Sequence, residues 1–151
     1  MIRFAQVADA EEMHRIRLSV KENVLSNPNL VPLSSYLPFL SGSAFVWEED
    51  SQMRGFSAVD LSTGGVWALF VDPIFERRGI GRQLLDALCA RFFEGPCDMM
   101  WLTTDPNTRA EKFYRSAGWS PVGNCSNGEL RFELRRGTWT KGQEELPRTG
   151  W

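Results

Sequence analysis

The sequence predicts a mixed fold of the α/β (α+β) class, and two observations carry this prediction. Strand-like and helix-like patterns of apolar residues alternate along most of the chain. In the first half, three apolar runs follow one another through short turns, which indicates an antiparallel meander. The length of 151 residues suits one domain with its own core. We therefore predict a single domain over residues 1–136, followed by a polar, loosely ordered tail over residues 137–151.

The first elements are a strand and a helix. Residues 1–8 have the pattern of a strand, and Asp9 can cap the helix that follows. In that helix, apolar residues recur at helical spacing, namely Met13, Ile16, Val20 and Val24. The segment SNPNLVP ends the helix, and residues 33–40 form a second short helix or a turn.

The meander occupies the middle of the chain. Residues 43–50 and 53–62 flank a polar turn and predict an antiparallel hairpin. Residues 64–72 add a third strand that is apolar enough to be buried on both faces.

The second half alternates helix and strand. A helix from Gly81 places apolar side chains on one face, namely Leu84, Leu85, Leu88 and Phe92, and Gly95-Pro96 stops it. Residues 98–105 form the next strand, and residues 107–119 form a helix in which Gly118 is the expected left-handed residue after the end. In residues 128–136, apolar and polar residues alternate as in a strand, which predicts the last strand of the domain.

Composition excludes several classes of protein. A formal net charge of −2 argues against a general nucleic-acid binder, and no apolar stretch has the length that spans a bilayer. The first residues carry acidic side chains and no apolar signal core. Three cysteines without C-x-x-C spacing indicate free thiols in a reducing cytoplasm, and one histidine cannot build a multi-histidine metal site. We therefore expect a cytoplasmic protein with no metal, membrane or nucleic-acid partner.

A basic, glycine-containing turn joins the third meander strand to the next helix. It reads FERRGIGR and contains Gly79 and Gly81 among three arginines. Backbone amides at a helix start attract anions, and glycines let a bound group come close to the main chain. The P-loop pattern is absent, and a dinucleotide fingerprint would need glycine where this chain has Leu84. The turn therefore predicts a site for a phosphate or pyrophosphate of another kind.

Two motifs together resemble the GNAT superfamily of acyl-CoA-dependent N-acyltransferases. LFVDPIFERRGIGRQLL is similar to the glycine-rich cofactor motif of that family. NTRAEKFYRSAGW is similar to its second motif, with matching residues at Asn107, Ala110, Tyr114, Gly118 and Trp119. The two motifs stand in the order of the family and at its usual separation, over roughly residues 69–119. Glu76 departs from the family pattern, which has Gln or Arg there, so we expect it to face solvent or to pair with an arginine.

The resemblance implies a GNAT-like mixed, mostly antiparallel twisted sheet with helices on both faces. A splayed pair of parallel strands, residues 66–72 and 99–105, would form the acyl-CoA cleft. Acetyl-CoA would be the co-substrate, and the acceptor would be an amine on a small molecule, a peptide or a protein, with a homodimer as a compatible assembly. The implied cofactor-binding residues are Phe70, Val71, Arg77, Arg78, Gly79, Ile80, Gly81, Arg82, Asn107 and Tyr114.

The reaction implied by the resemblance is direct attack of the amine on the thioester in a ternary complex. Tyr114 would donate the proton to the departing thiolate; the alternative is a tyrosine that only packs. Asp60 and Glu22 are the candidate bases, whereas Asp72 before Pro73 is better explained by turn chemistry. Asn107 is equally a cofactor ligand or a helix cap.

The acceptor pocket is the part that the sequence specifies least. Glu22 on the first helix could contact the acceptor, and three aromatic residues could wall its pocket, namely Tyr36, Trp47 and Trp67. A solvated helix face and ordinary core aromatics are the competing interpretations. A non-catalytic acyl-CoA sensor remains the alternative function.

Overall fold

The computed structural model describes residues 1–20 and 31–144. Its strands form two antiparallel sheets. The first has the order β1-β2-β3-β4, with β1 (Ile2–Phe4), β2 (Ala44–Glu49), β3 (Gln52–Val59) and β4 (Val66–Val71). The second has the order β5-β7-β6, with β5 (Met99–Thr104), β6 (Ser120–Asn124) and β7 (Leu130–Arg135). The meander and the α/β class are thus confirmed.

Helices cover both faces of the first sheet. The α-helices are α1 (Ala10–Ser19), α2 (Ile80–Phe92), α3 (Arg109–Ser116) and α4 (Arg136–Glu144), and short 3-10 helices span Val7–Asp9, Leu33–Phe39 and Pro73–Phe75. α2 packs against β2, β3 and β4, while α1 packs against β3, β4 and the 3-10 helix at 33–39. Alternation along the strands divides the core accordingly: Phe45 packs on the α2 side and Val46 on the α1 side. None of the helices in the two described segments is long and apolar enough to cross a membrane.

The two sheets meet at one parallel contact. Gly65 bridges Trp101, and the Trp101 amide donates to the carbonyl oxygen of Gly64 at 2.9 Å. Beyond that contact, β4 and β5 continue without backbone hydrogen bonding that would join them in one sheet, and a helix follows each strand. The expected splayed pair is therefore present, with its closed end at Gly65 and its open end at Val71 and Thr104.

The second motif ends as its glycine predicts. Gly118 follows α3 with φ of 89°, and its amide donates to the carbonyl oxygen of Arg115 at 3.2 Å. The Trp119 amide donates to Tyr114 O at 3.0 Å, which completes a Schellman motif. This C-cap motif fixes the end of α3, the helix that contains Tyr114.

Three local expectations differ from the structure. Asp9 does not cap α1; its carboxylate accepts from the Gln6 amide at 2.7 Å and pairs with Arg3 at 2.9 Å, because the 3-10 turn comes first. Residues 137–144, expected to be irregular, belong to α4. Residues 120–124, for which we predicted no strand, form β6, whose side chains are all exposed. Val24 lies outside the described residues.

Candidate active site

The turn between β4 and α2 is shaped by its first residue and by two left-handed positions. The buried Asp72 carboxylate accepts from the Ile74 amide at 3.1 Å, which confirms its turn role. Arg77 then adopts φ of 66° and Gly79 adopts φ of 79°. A left-handed arginine is unfavourable on its own, so the surrounding turn must impose it.

The helix start that follows presents free amides. Gly79 is the N-cap of α2, and the Gln83 amide makes the first intrahelical bond, to Gly79 O at 3.2 Å. The amides of residues 79–82 precede that bond and have no intrahelical acceptor. A Cβ at Gly79 would meet no atom within 4 Å, so this main chain is open to a bound group. Amides and helix dipole together favour an anion here.

These amides border a pocket of about 390 Å³. Its wall combines the end of β4, the turn, the first residues of α2 and one face of α3. The lining residues are Val20, Leu69, Phe70, Val71, Phe75, Glu76, Arg77, Gly79, Ile80, Gly81, Arg82, Arg109, Ala110, Phe113 and Tyr114. Eight of the ten predicted cofactor residues are among them; Arg78 and Asn107 are not.

The arginines of the turn take different positions. Arg77 and Arg82 line the pocket, and Arg82 Nε also pairs with Asp86 at 3.2 Å. Arg78 instead places its guanidinium 5.3 Å from the centre of the Phe75 ring. Arg78 is therefore beside a pocket residue without lining the pocket itself.

Glu76, the residue that departs from the family pattern, is held by a cation. Its carboxylate pairs with Arg109 Nη2 at 2.9 Å, across the pocket from the turn to α3. The expected arginine partner thus exists, although it comes from α3. The ion pair reduces the repulsion that a lone carboxylate would exert on an anion in this pocket.

The open edge of β4 offers backbone groups to the cleft. The Asp72 amide donates to Arg54 O at 2.8 Å, so residues 72 and 70 direct their polar groups toward β3. Because these directions alternate along a strand, Leu69 and Val71 point their amides and carbonyls the other way. Phe70 and Val71 were both expected to offer their main-chain polar groups to the cleft. Of these two, only Val71 does so, and Leu69 is the second residue whose amide and carbonyl face the cleft.

Tyr114 lies in the pocket wall on α3 and is 7% exposed. Its ring packs against Phe113, Trp119 and Phe132, with centroids 5.1, 5.9 and 5.8 Å away. Burial raises the pKa of the Tyr114 phenol above its ordinary value, so the hydroxyl keeps its proton at neutral pH. The residue thus meets the packing expectation, and it also lines the pocket.

Asn107 does not cap α3. Thr108 is the cap: its hydroxyl accepts from the Glu111 amide at 3.3 Å. Asn107 sits one residue earlier with φ of 61°, and its own amide donates to Glu111 Oε1 at 3.1 Å. It lies in the turn that precedes the helix.

Of the two candidate bases, the structure describes Asp60, which is not among the residues that line the pocket. Asp60 follows β3 in the turn at the closed end of the cleft, where its carboxylate accepts from the Ser62 amide and hydroxyl at 2.9 and 2.6 Å. Those hydrogen bonds lower the pKa of Asp60, which weakens it as a base. Glu22 lies outside the described residues.

The three aromatic residues expected to wall the acceptor pocket do not share one surface. Tyr36 is fully buried on the α1 side, where its ring meets Trp67 at 4.9 Å between centroids. Trp47 packs on the α2 side, and its Nε1 donates to Gln83 at 3.0 Å. The strand alternation that places Phe45 and Trp47 on one face separates Trp47 from the other two.

Residues on α3 are the part of the site that the sequence reasoning missed. Arg109, Ala110 and Phe113 line the pocket beside Tyr114. Ala110 lies one turn before Tyr114, and Arg109 lies one turn before Phe113, so helical periodicity could have found these two adjacent rows. Among the described residues, no group of three or more His, Cys, Asp or Glu is placed to hold a metal ion.

Comparisons with known proteins agree with this geometry. No curated protein sequence matches the chain. Among solved structures, the paia N-acetyltransferase of Thermoplasma acidophilum in complex with coenzyme A is similar, with a TM-score of 0.77, 15% identity and coverage of 89% of this chain and 98% of that chain. The ribosomal-protein-S18-alanine N-acetyltransferase of Escherichia coli gives a TM-score of 0.71 at 17% identity, with 89% and 92% covered. A model of the acetyltransferase (GNAT) family matches residues 7–119. The chain therefore belongs to the GNAT acetyltransferase family.

Proposed function

We propose that the protein transfers the acetyl group of acetyl-CoA to a primary amine by direct attack within a ternary complex. The observation that carries the proposal is one pocket lined both by the start of α2, whose first amides have no intrahelical acceptor, and by Tyr114. The amides of residues 79–82 would hold the pyrophosphate, with Arg77 and Arg82 beside it. Leu69 and Val71 would pair with the pantetheine arm as an added strand does.

The chemistry follows from these groups. The neutral amine forms a C–N bond to the thioester carbonyl carbon, and the C–S bond breaks as the tetrahedral intermediate collapses. Tyr114 donates its proton to the departing sulfur and regains one from solvent. Because burial raises the pKa of Tyr114, the phenol is fully available as an acid at neutral pH.

The amine must lose a proton before or during the attack. Among the described residues that line the pocket, Glu76 is the carboxylate, and its ion pair with Arg109 favours a role in positioning. We therefore propose that water carries the proton away, with Glu22 as the remaining side-chain candidate. Small-molecule amines and polypeptide amines both fall within the proposal, as does a cytoplasmic location, where free thiols persist.

The test has two stages. A panel of amines is first incubated with acetyl-CoA and protein, and free thiol and the mass of the acetylated amine are measured. Initial rates are then recorded while both substrates vary. Direct attack predicts intersecting reciprocal plots, whereas parallel plots would indicate an acetylated enzyme and overturn the mechanism. Binding of acetyl-CoA without thiol release for any amine would favour the sensor.

A further inference from the structure

Arg17 on α1 is a cation without a hydrogen-bond partner in the described part of the chain. Its Nε and Nη1 atoms are buried and donate no hydrogen bond to an acceptor of any described residue. The guanidinium carbon lies 5.2 Å from the ring centre of Trp67 and 4.8 Å from that of Phe70. The rings stabilise the charge by cation–π attraction, yet they do not replace hydrogen bonds to the buried nitrogens.

Two other arginines, one on α1 and one beside an aromatic ring, are paired with carboxylates. Arg15, two residues earlier on α1, pairs with Glu12 at 2.6 Å and with Asp72 at 3.4 Å. Arg131 lies 4.5 Å from the ring centre of Trp101, and its Nε pairs with Glu133 at 3.2 Å. Arg15 and Arg131 each pair with a carboxylate. Arg17 differs from both, because among the described residues its guanidinium contacts the rings of Trp67 and Phe70 and forms no ion pair.

Arg17 lies next to the pocket, although it is not one of the lining residues. Phe70, whose ring it touches, lines the pocket, as does Val20, which follows the end of α1. Among the described residues, the Tyr36 phenol interacts electrostatically with Arg17, and Tyr36 Oη lies 2.9 Å from His14 Nδ1. This cluster therefore borders the side of β4 that carries α1, away from the anion-binding turn.

We propose that the amine acceptor is a small molecule that also carries a carboxylate, and that Arg17 pairs with this carboxylate. The inference rests on the proposed function and specifies its substrate class. A carboxylate matches the planar fork of a guanidinium and its single positive charge. Trp67 stacks on Phe39 at 4.6 Å, so the ring beneath the cation is itself held in place.

Burial also favours such a pair. The cost of removing Nε and Nη1 from water is already part of the folded protein, so an arriving carboxylate has only its own hydration to lose. Desolvation lowers the pKa of Arg17 from its usual value, and an anion beside it would reverse that effect.

The experiment compares acceptors that differ only in the carboxylate, using amino acids, their carboxamides and the corresponding decarboxylated amines. Thiol release is measured with wild type, Arg17→Lys, Arg17→Met and the control Arg131→Met. Wild type should favour the amino acid in kcat/KM by at least about tenfold, the lower range for a hydrogen bond to a charged partner. Arg17→Met should abolish this preference, Arg17→Lys should keep part of it, and Arg131→Met should keep all of it, each with an unchanged acetyl-CoA Kd.

Equal use of the three acceptors by wild type, or a preference that survives in Arg17→Met, would overturn the inference. A second measurement does not depend on turnover. Amino acids should raise the Tm of the CoA-bound wild type, their carboxamides should not, and Arg17→Met should respond to neither. Absence of thiol release with every amine would refute the proposed function, and the Tm comparison would then still decide for or against a carboxylate site at Arg17.

Discussion

Replacing Tyr114 with phenylalanine should separate catalysis from binding. The ring keeps its neighbours, because Phe113, Trp119 and Phe132 pack on its faces and edges at centroid distances between 5.1 and 5.9 Å. The change therefore removes the hydroxyl and little else. We expect a folded protein whose acetyl-CoA Kd stays within a few-fold of wild type.

The expected loss of rate follows from the lost proton donor. General acid catalysis contributes about 10²–10⁴ in rate. Because burial raises the pKa of Tyr114, the phenol is a weaker acid than usual, which places the effect at the lower end of that range. A hundredfold fall in kcat corresponds to about 2.7 kcal/mol of barrier.

The assay is thiol release at saturating acetyl-CoA, with the Kd measured separately by calorimetry and the fold by circular dichroism. Wild-type kcat should also show no alkaline loss from this tyrosine up to about pH 10, the ordinary phenol pKa. A variant that keeps most of its kcat would show that the thiolate departs unassisted or takes its proton from water, and Tyr114 would then be a packing residue.

Three further predictions concern cofactor binding, the sheet junction and alkaline stability. Arg82→Ala should weaken CoA binding by about 1–3 kcal/mol, more at low salt, because a charge-assisted contact is lost; calorimetry at two salt concentrations measures this. Gly64→Ala should destabilise the fold by more than about 2 kcal/mol in urea, because Gly64 has φ of 80° and a Cβ there would collide with the Met99 carbonyl oxygen. Burial raises the pKa of the Cys89 thiol, so the unfolded chain releases that proton first and stability should fall above about pH 9, less steeply in Cys89→Ala.

Each of these has a contrary outcome. Equal CoA affinity for wild type and Arg82→Ala at low salt would mean that Arg82 is satisfied by Asp86 alone. A Gly64→Ala protein as stable as wild type would show that Gly64 does not lie against the Met99 carbonyl oxygen at the contact between the two sheets. Identical pH slopes for wild type and Cys89→Ala would place the thiol in contact with water.

The fold could be predicted where the pattern of apolar residues was strong. The meander and α2 carry clear periodicity, and Gly118 marks the end of α3 by its conformational freedom. β6 could not be found this way because its side chains are all exposed, so no alternation marks a buried face. α4 was missed because its sequence is polar and buries no residue completely.

The arrangement of residues around the start of α2 was predictable because it depends on local sequence. Gly79 and Gly81 lie at the helix start that their spacing suggested, and the motif placed Tyr114 on the neighbouring helix. The acceptor side depends on which strand residues share a face, and that is fixed by register between distant segments. Trp47 and Trp67 therefore looked equivalent in the sequence although they lie on opposite sides of the sheet.

The central claim is that the amides at the start of α2 hold acetyl-CoA, and a calorimetric titration of wild type and Gly81→Val tests it most directly. A Cβ at Gly81 would lie 3.7 Å from Phe113 and from Val71, so the fold should tolerate it. The branched side chain would nevertheless occupy the space where a pyrophosphate must approach the main chain. Wild type should bind one acetyl-CoA per chain, and Gly81→Val should remain folded without measurable binding. Equal affinity of the two proteins would contradict the account and place the cofactor elsewhere.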